Sequence, residues 1–270
     1  MKVKDKCFPF GIPPEADTLL FCFHHAGGNA GQLRSWCGVK NDIAVVPVEY
    51  AGHGCRMGEK FSSGLCEIAE ELAGKIAVAC LGKKVYLYGH SLGSLIAFET
   101  VKCLEKWHVP VQGLVVAGRG APFDRDCSSF RSCMGREALL EEMRRLGGMD
   151  DRILEDQGFM DYFAPIILSD YALFENYCYD KGCIHAPICA HCAMQDVETS
   201  PEQMSHWSMV TNGAFEETVF EGGHFFVLES EQYLETLLGT VRKMKRGVYY
   251  YDRNKKVRSA DTDIAFDRFQ

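Results

Sequence analysis

Residues Leu87 to Glu99 read LYGHSLGSLIAFE. They are entered from KVYLY, residues 84–88, an apolar run that predicts a buried strand. Beyond Ser91, apolar residues recur at helical spacing as far as about Trp107. The turn from strand to helix thus falls on Gly89-His90-Ser91-Leu92-Gly93, which matches G-x-S-x-G. In that setting the glycines have a physical task. The turn is too tight for side chains at the flanking positions. The serine is held in a strained conformation with its hydroxyl standing free above the sheet. The N–H of Leu92 then opens a helix, where the positive end of the dipole favours a developing oxyanion.

A serine hydroxyl is a weak nucleophile without a base and an acid that orients the base. On a strand–turn–helix elbow the partners follow in the order Ser, acid, His. His224 lies in EGGHFFVLE, just after the last strand-like run. Asp196 lies in AMQDVE, just after the fifth. Asp124, after the fourth, and Glu198 are rival acids, and Asp196 is favoured by its position relative to the strands. A second oxyanion donor is expected from the loop HHAGGNAG after the first strand, with Ala26 as candidate. His24 and His25 either line the site or shape that turn.

Working outward, LLFCF near Leu19, IAVVPVEY, KVYLY, GLVVAG, PICAHCAM and EETVFEG read as six strands. A helix is expected from the Gly-rich turn toward Trp36. EIAEELAGKIAVACL is amphipathic, with Ile68, Leu72, Ile76 and Ala79 or Cys80 on one face. EQYLETLLGTVRKMK closes the pattern. The alternation predicts an α/β chain, one domain over residues 1–270, with a mostly parallel sheet covered on both faces. From about Phe123 to Tyr179 the alternation stops and helical patterns take over. An inserted helical lid over one end of the sheet is favoured there, against an ordinary long crossover. The tail, residues 247–270, is polar and mixed in charge, and is expected to be flexible or to dock on the body.

Composition narrows the function classes. The formal net charge of -8 argues against non-specific nucleic-acid binding. No run approaches the ~18 apolar residues of a membrane span, and the N-terminus lacks a signal-like apolar core. Thirteen cysteines, an odd number scattered along the chain, are expected to be reduced thiols of a cytoplasmic protein. CIHAPICAHC holds Cys183, His185, Cys189, His191 and Cys192. Cys189 and Cys192 have zinc-like spacing. On a strand, however, residues three apart point to opposite faces, so core cysteines are favoured over a metal site.

Together these stretches resemble the type II thioesterases. FHHAGGNAGQLRSW is similar to their P-H-A-G-G opening, and GHSLGSLIAFE to their nucleophile segment. MRRLGGMDDRILED, the lid-like FAPIILSDYALFENY, and DVETSPEQMSHWSMVTNGAFEETVFEGGHFFVLE follow in the family's order, covering about Phe21 to Leu237. The resemblance implies an α/β-hydrolase that releases acyl groups from the phosphopantetheine arm of acyl or peptidyl carrier proteins in polyketide or nonribosomal peptide synthesis. It places Ser91, Asp196 and His224 on the catalytic positions and Ala26 and Leu92 on the oxyanion donors. It calls for no metal or dissociable cofactor, and a monomer is expected. Three departures bear on substrate range and carrier contacts rather than on the triad. His24 replaces the first-loop proline, YAGHGCRM carries His53 where arginine is expected, and Ile167 or Leu168 stands at the lid arginine. A serine esterase or lactonase, and a non-catalytic binding protein on the same frame, are the other classes.

Overall fold

In the computed structural model, residues 5–38, 42–125 and 128–247 are described. Six strands form one sheet: β1 (Thr18–Phe23), β2 (Ala44–Pro47), β3 (Lys84–His90), β4 (Val111–Ala117), β5 (Ile188–Ala193) and β6 (Phe215–Phe220). Their order is β2-β1-β3-β4-β5-β6, and every neighbouring pair is parallel. Parallel strands need cover on both faces, which is why the inner strands are mostly apolar, whereas the edge strand β6, FEETVF, is only partly buried.

The period-2 alternation of each strand sorts its side chains between two layers. Leu19, Phe21 and Phe23 of β1, with Val85 and Leu87 of β3, pack under α1 (Leu65–Ala79) and α2 (Leu92–Lys106). Leu20, Cys22, Tyr86 and Tyr88 face the opposite layer, where α8 (Tyr233–Lys245) contributes Leu237, Leu238 and Val241. The expected face of α1 is the buried one: Ile68, Leu72 and Ile76 are all in the core. The helix expected after the Gly-rich turn is instead a 3-10 segment, Ala30–Gly38. Its buried residues Ala30, Leu33 and Trp36 recur every three positions, and a three-residue turn puts all of them on one side.

Between β4 and β5 lie α3 (Gly135–Leu146), α4 (Asp151–Leu154) and α5 (Gln157–Glu175). They share a small core of their own, with Leu139, Met143, Leu154, Met160 and Ile167. The short α6 (Pro201–Ser205) and α7 (Phe226–Glu229) follow β5 and β6. Residues 248–270, nearly all of the expected flexible tail, lie outside the described residues. Among the described residues no helix is long and apolar enough to cross a membrane, and the described cysteines are all free thiols.

After β1 the chain steps to β2 on one side, then returns to place β3 on the other. Such a reversal opens a crevice at the carboxyl ends of the two central strands. There Phe23 pairs with Gly89, so the loop after β1 runs beside the turn after β3. The approach of α2 to β1 leaves no room at Gly93. A Cβ there would lie 2.6 Å from the His24 carbonyl oxygen and closer still to that of Phe23. Gly93→Ala is therefore expected to lower stability by about 1–3 kcal/mol, the usual cost of overpacking. A urea unfolding curve measures it as a reduced midpoint at unchanged slope.

Candidate active site

Ser91 sits between β3 and α2 with φ 54 and ψ -121, the strained geometry expected of an elbow. Its N–H donates to Ala117 O at 2.8 Å, bracing the turn against β4. Ser94 adds a second brace that the sequence did not point to. Its hydroxyl lies 2.9 Å from Gly89 O and 3.1 Å from Ala117 O, and accepts the Ala117 N–H at 3.2 Å.

Asp196 and His224 are brought together by the ends of β5 and β6. His224 Nδ1 is 3.0 Å from Asp196 Oδ1 and 3.1 Å from Oδ2, and both side chains are buried. A carboxylate only accepts, so Nδ1 carries the proton of the neutral ring and Nε2 the lone pair. The two loops are also joined through the backbone. Met194 N–H donates to Phe220 O at 2.9 Å and Gln195 N–H to Gly222 O at 3.0 Å. Gln195 Oε1 accepts the Gly222 N–H at 2.6 Å. The rival acids are committed elsewhere. Asp124 takes His206 Nδ1 at 2.8 Å and the Ala121 N–H at 2.8 Å. Glu198 pairs with Arg145.

Ser91 and His224 line one cavity of about 270 Å³. Ala26 lines it from the loop after β1, beside His25. Leu92 is buried at the start of α2, where the first N–H groups have no intrahelical acceptor. The far wall is apolar: Met143 and Leu146 of α3, and Phe159, Phe163 and Ile167 of α5.

Two neighbouring histidines, His25 and His90, are held neutral. Burial, then the neighbouring His24 and His224, pulls His25 down to about 3. Burial together with His224 and His25 pushes His90 well below the usual histidine range, and its Nε2 donates to His224 O at 2.8 Å. Neither adds positive charge beside His224. His24 is turned away from the cavity, its Nδ1 2.9 Å from His25 O, and so shapes the turn.

Two further residues lie behind the loop after β1. Asp170 Oδ2, on α5, accepts the Gly27 N–H at 2.7 Å and lies 3.0 Å from His53 Nε2. His53 stood out in the sequence only as a departure from arginine, and Asp170 only as part of a lid signature. Of the zinc-like pair, Cys189 packs in the α8 layer and Cys192 in the α1–α2 layer. His191 between them meets Tyr233 OH at 2.9 Å. Among the described residues no three His, Cys, Asp or Glu side chains converge on a point that could hold a metal.

The profile described as Thioesterase domain matches residues 18–244. The chain belongs to the thioesterase family of α/β-hydrolases. It is 30% identical over 221 residues to Thioesterase PikA5 of Streptomyces venezuelae, covering 81% of this chain and 78% of that one. Among solved structures, it is 30% identical to RedJ, a thioesterase from the prodiginine biosynthetic pathway in Streptomyces coelicolor. The TM-score is 0.76, with 86% of this chain and 87% of that one covered. The type II thioesterase BorB from the borrelidin biosynthetic cluster is 29% identical with a TM-score of 0.72, covering 86% and 94%.

For this thioesterase, the geometry distinguishes the three acids. Asp196→Asn is expected to keep the fold and lower kcat by on the order of 10⁴, because an amide favours the wrong imidazole tautomer. Asp124→Asn should change kcat by less than about threefold, since that carboxylate serves His206. Steady-state kinetics on an acyl thioester compares the two.

Proposed function

We propose that the chain hydrolyses acyl thioesters presented on the phosphopantetheine arm of carrier proteins, as an editing or releasing enzyme of polyketide or nonribosomal peptide synthesis. The observation that carries this reading is the Asp196–His224 pair at 3.0 Å, whose His224 lines one largely apolar cavity with Ser91. The relatives support it further, since two of them are thioesterases from named biosynthetic pathways or clusters.

In this reading Ser91 Oγ attacks the thioester carbonyl while His224 Nε2 takes its proton. The tetrahedral oxyanion rests on the N–H groups of Ala26 and Leu92. The C–S bond breaks, and the imidazolium returns the proton to the departing pantetheine sulfur. Water then attacks the acyl-serine with His224 as base, freeing the carboxylic acid and restoring the Ser91 hydroxyl. Asp196 fixes the tautomer and stabilises the imidazolium throughout. An acyl chain would lie among Phe159, Phe163 and Ile167, where about 0.8 kcal/mol is available for each buried methylene.

The segment from about Phe123 to Tyr179 serves here as a lid. Closed, it keeps water from the acyl chain; opened, it admits the carrier's arm. Pro165 inside α5 removes one helical hydrogen bond and supplies a point of bending. The carrier protein is the partner, and the free thiols of the described cysteines fit a cytoplasmic setting.

Ser91→Ala should cut hydrolysis of an acyl-pantetheine by at least about a thousandfold while leaving the unfolding midpoint in place. Near-native turnover would remove Ser91 from the mechanism. Matched acyl thioesters and oxygen esters separate a thioesterase from a general esterase, and the thioester should be preferred. For the lid, hydrogen exchange is the measurement. Amides of α3 and α4 should exchange faster than those of β3 and β4, and gain protection when an acyl-pantetheine phosphonate occupies Ser91. Equal, slow exchange with and without the ligand would mean a fixed layer.

A further inference from the structure

Behind the loop that carries Ala26 lies a buried polar cluster that the mechanism above does not use. Three side chains grip this loop. Tyr50 OH donates to His24 O at 3.1 Å. Glu49 Oε1 accepts the Ala30 N–H at 3.1 Å. Asp170 Oδ2 accepts the Gly27 N–H at 2.7 Å. The first two come from the chain just after β2. The third comes from the middle of α5, in the segment that roofs the cavity. Contact there is close: a Cβ on Gly27, whose φ is +73, would lie 2.6 Å from Ile167.

Asp170 is fully buried, and its Oδ1 has no hydrogen-bond partner among the described residues. A carboxylate in that position is costly unless a cation accompanies it. His53 is the group placed to be that cation. Its Nε2 lies 3.0 Å from Asp170 Oδ2, and its Nδ1 lies 3.0 Å from Ala51 O. With Asp170 as a carboxylate, both neighbours are acceptors only, and a neutral imidazole has one N–H to offer. The imidazolium alone satisfies both.

We propose that Asp170 is a positioning residue for the oxyanion loop, kept ionised and docked by a protonated His53, so that loss of the His53 proton lowers turnover on the alkaline side. This inference rests on the proposed thioesterase mechanism, in which Ala26 N–H binds the oxyanion. The Gly27 N–H belongs to the next peptide along. Holding it on Asp170 fixes the orientation of that peptide, and with it the direction of the donor one residue earlier. A donor misdirected by a fraction of an ångström costs transition-state stabilisation more than ground-state binding.

The charges facing His53 agree. Burial pulls its pKa down, but the hydrogen bond and charge of Asp170, then Ala51 O and the charge of Glu49, outweigh burial and leave it raised. His24 and Tyr50 flank the ring at 5.2 and 5.7 Å. Burial holds Tyr50 well above the ordinary tyrosine range, so it stays neutral. Burial likewise raises the Cys55 thiol. Arg56, in the same loop, pairs with Glu59 and Glu71. The sign follows from a histidine whose pKa is raised by folding. Its contribution is complete below the unfolded value, ~6.5, and is lost as pH rises through the folded one.

The test is kcat and KM against pH for the full chain with an acyl-N-acetylcysteamine thioester, normalised to active sites titrated by a phosphonate. The parent should lose about tenfold in kcat, at nearly constant KM, across an alkaline limb; that is the scale of one charge-assisted hydrogen bond. Asp170→Asn and His53→Gln should each sit at that reduced kcat already at pH 7, with the alkaline limb gone. Two outcomes overturn the proposal. One is parental kcat per active site with the limb unchanged in both variants, which leaves the pair a purely structural contact. The other is a loss confined to KM. Ser91→Ala, run alongside, separates the two readings. If Ser91→Ala is inert and the two variants behave like the parent, the mechanism stands and the positioning role falls. If Ser91→Ala turns over normally, the mechanism itself falls.

Discussion

A helix start pressed against a strand end is the contact on which the site depends. Gly93, in the first turn of α2, lies so near the carbonyls of Phe23 and His24 that no side chain fits. That approach ties the nucleophile's turn to the loop after β1. It does so at the point where the parallel pairing of Phe23 with Gly89 has already levelled the two strand ends. Ser91 and the loop carrying Ala26, the proposed nucleophile and oxyanion donor, therefore share a frame set by backbone packing. Side-chain braces such as Ser94 refine it.

The environment decides what each histidine can do. His90, His25 and His191 are wholly buried without a carboxylate partner, and burial holds them neutral. His224 has Asp196 on one nitrogen, and His53 has Asp170 on one nitrogen and a carbonyl on the other. The first arrangement leaves a lone pair for base catalysis, while the second leaves none. These two histidine–aspartate pairs thus have different chemistry, fixed by what faces the second ring nitrogen.

The strands were legible because parallel burial writes continuous apolar runs, and the elbow because its glycines are required by sterics. The acid was legible only as a ranking. That Asp124 belongs to His206 is a contact 82 residues apart, and no periodicity announces such a pairing. The same holds for Asp170 with Gly27, 143 residues apart, and with His53, 117 apart. The helix after the Gly-rich loop is legible in the sequence, but its 3-10 type is not. A spacing of three at Ala30, Leu33 and Trp36 was present in the sequence, but over so few residues it is compatible with either helix type.

The loops after β5 and β6 are stitched by two backbone hydrogen bonds and by the Gln195 side chain. Asp196 and His224 therefore travel as one body; Ser91 follows β3, with β4 between, and its neighbour His90 is joined to that body through the His224 carbonyl. A change in sheet twist moves Ser91 relative to His224 more readily than Asp196 relative to His224, and the His90–His224 contact limits how far. Over generations of substitutions in the core, the cassette from β5 to the end of α7 can drift as a unit. Accumulated mutation then registers as misalignment between two intact halves, which a few compensating changes along β4 can correct.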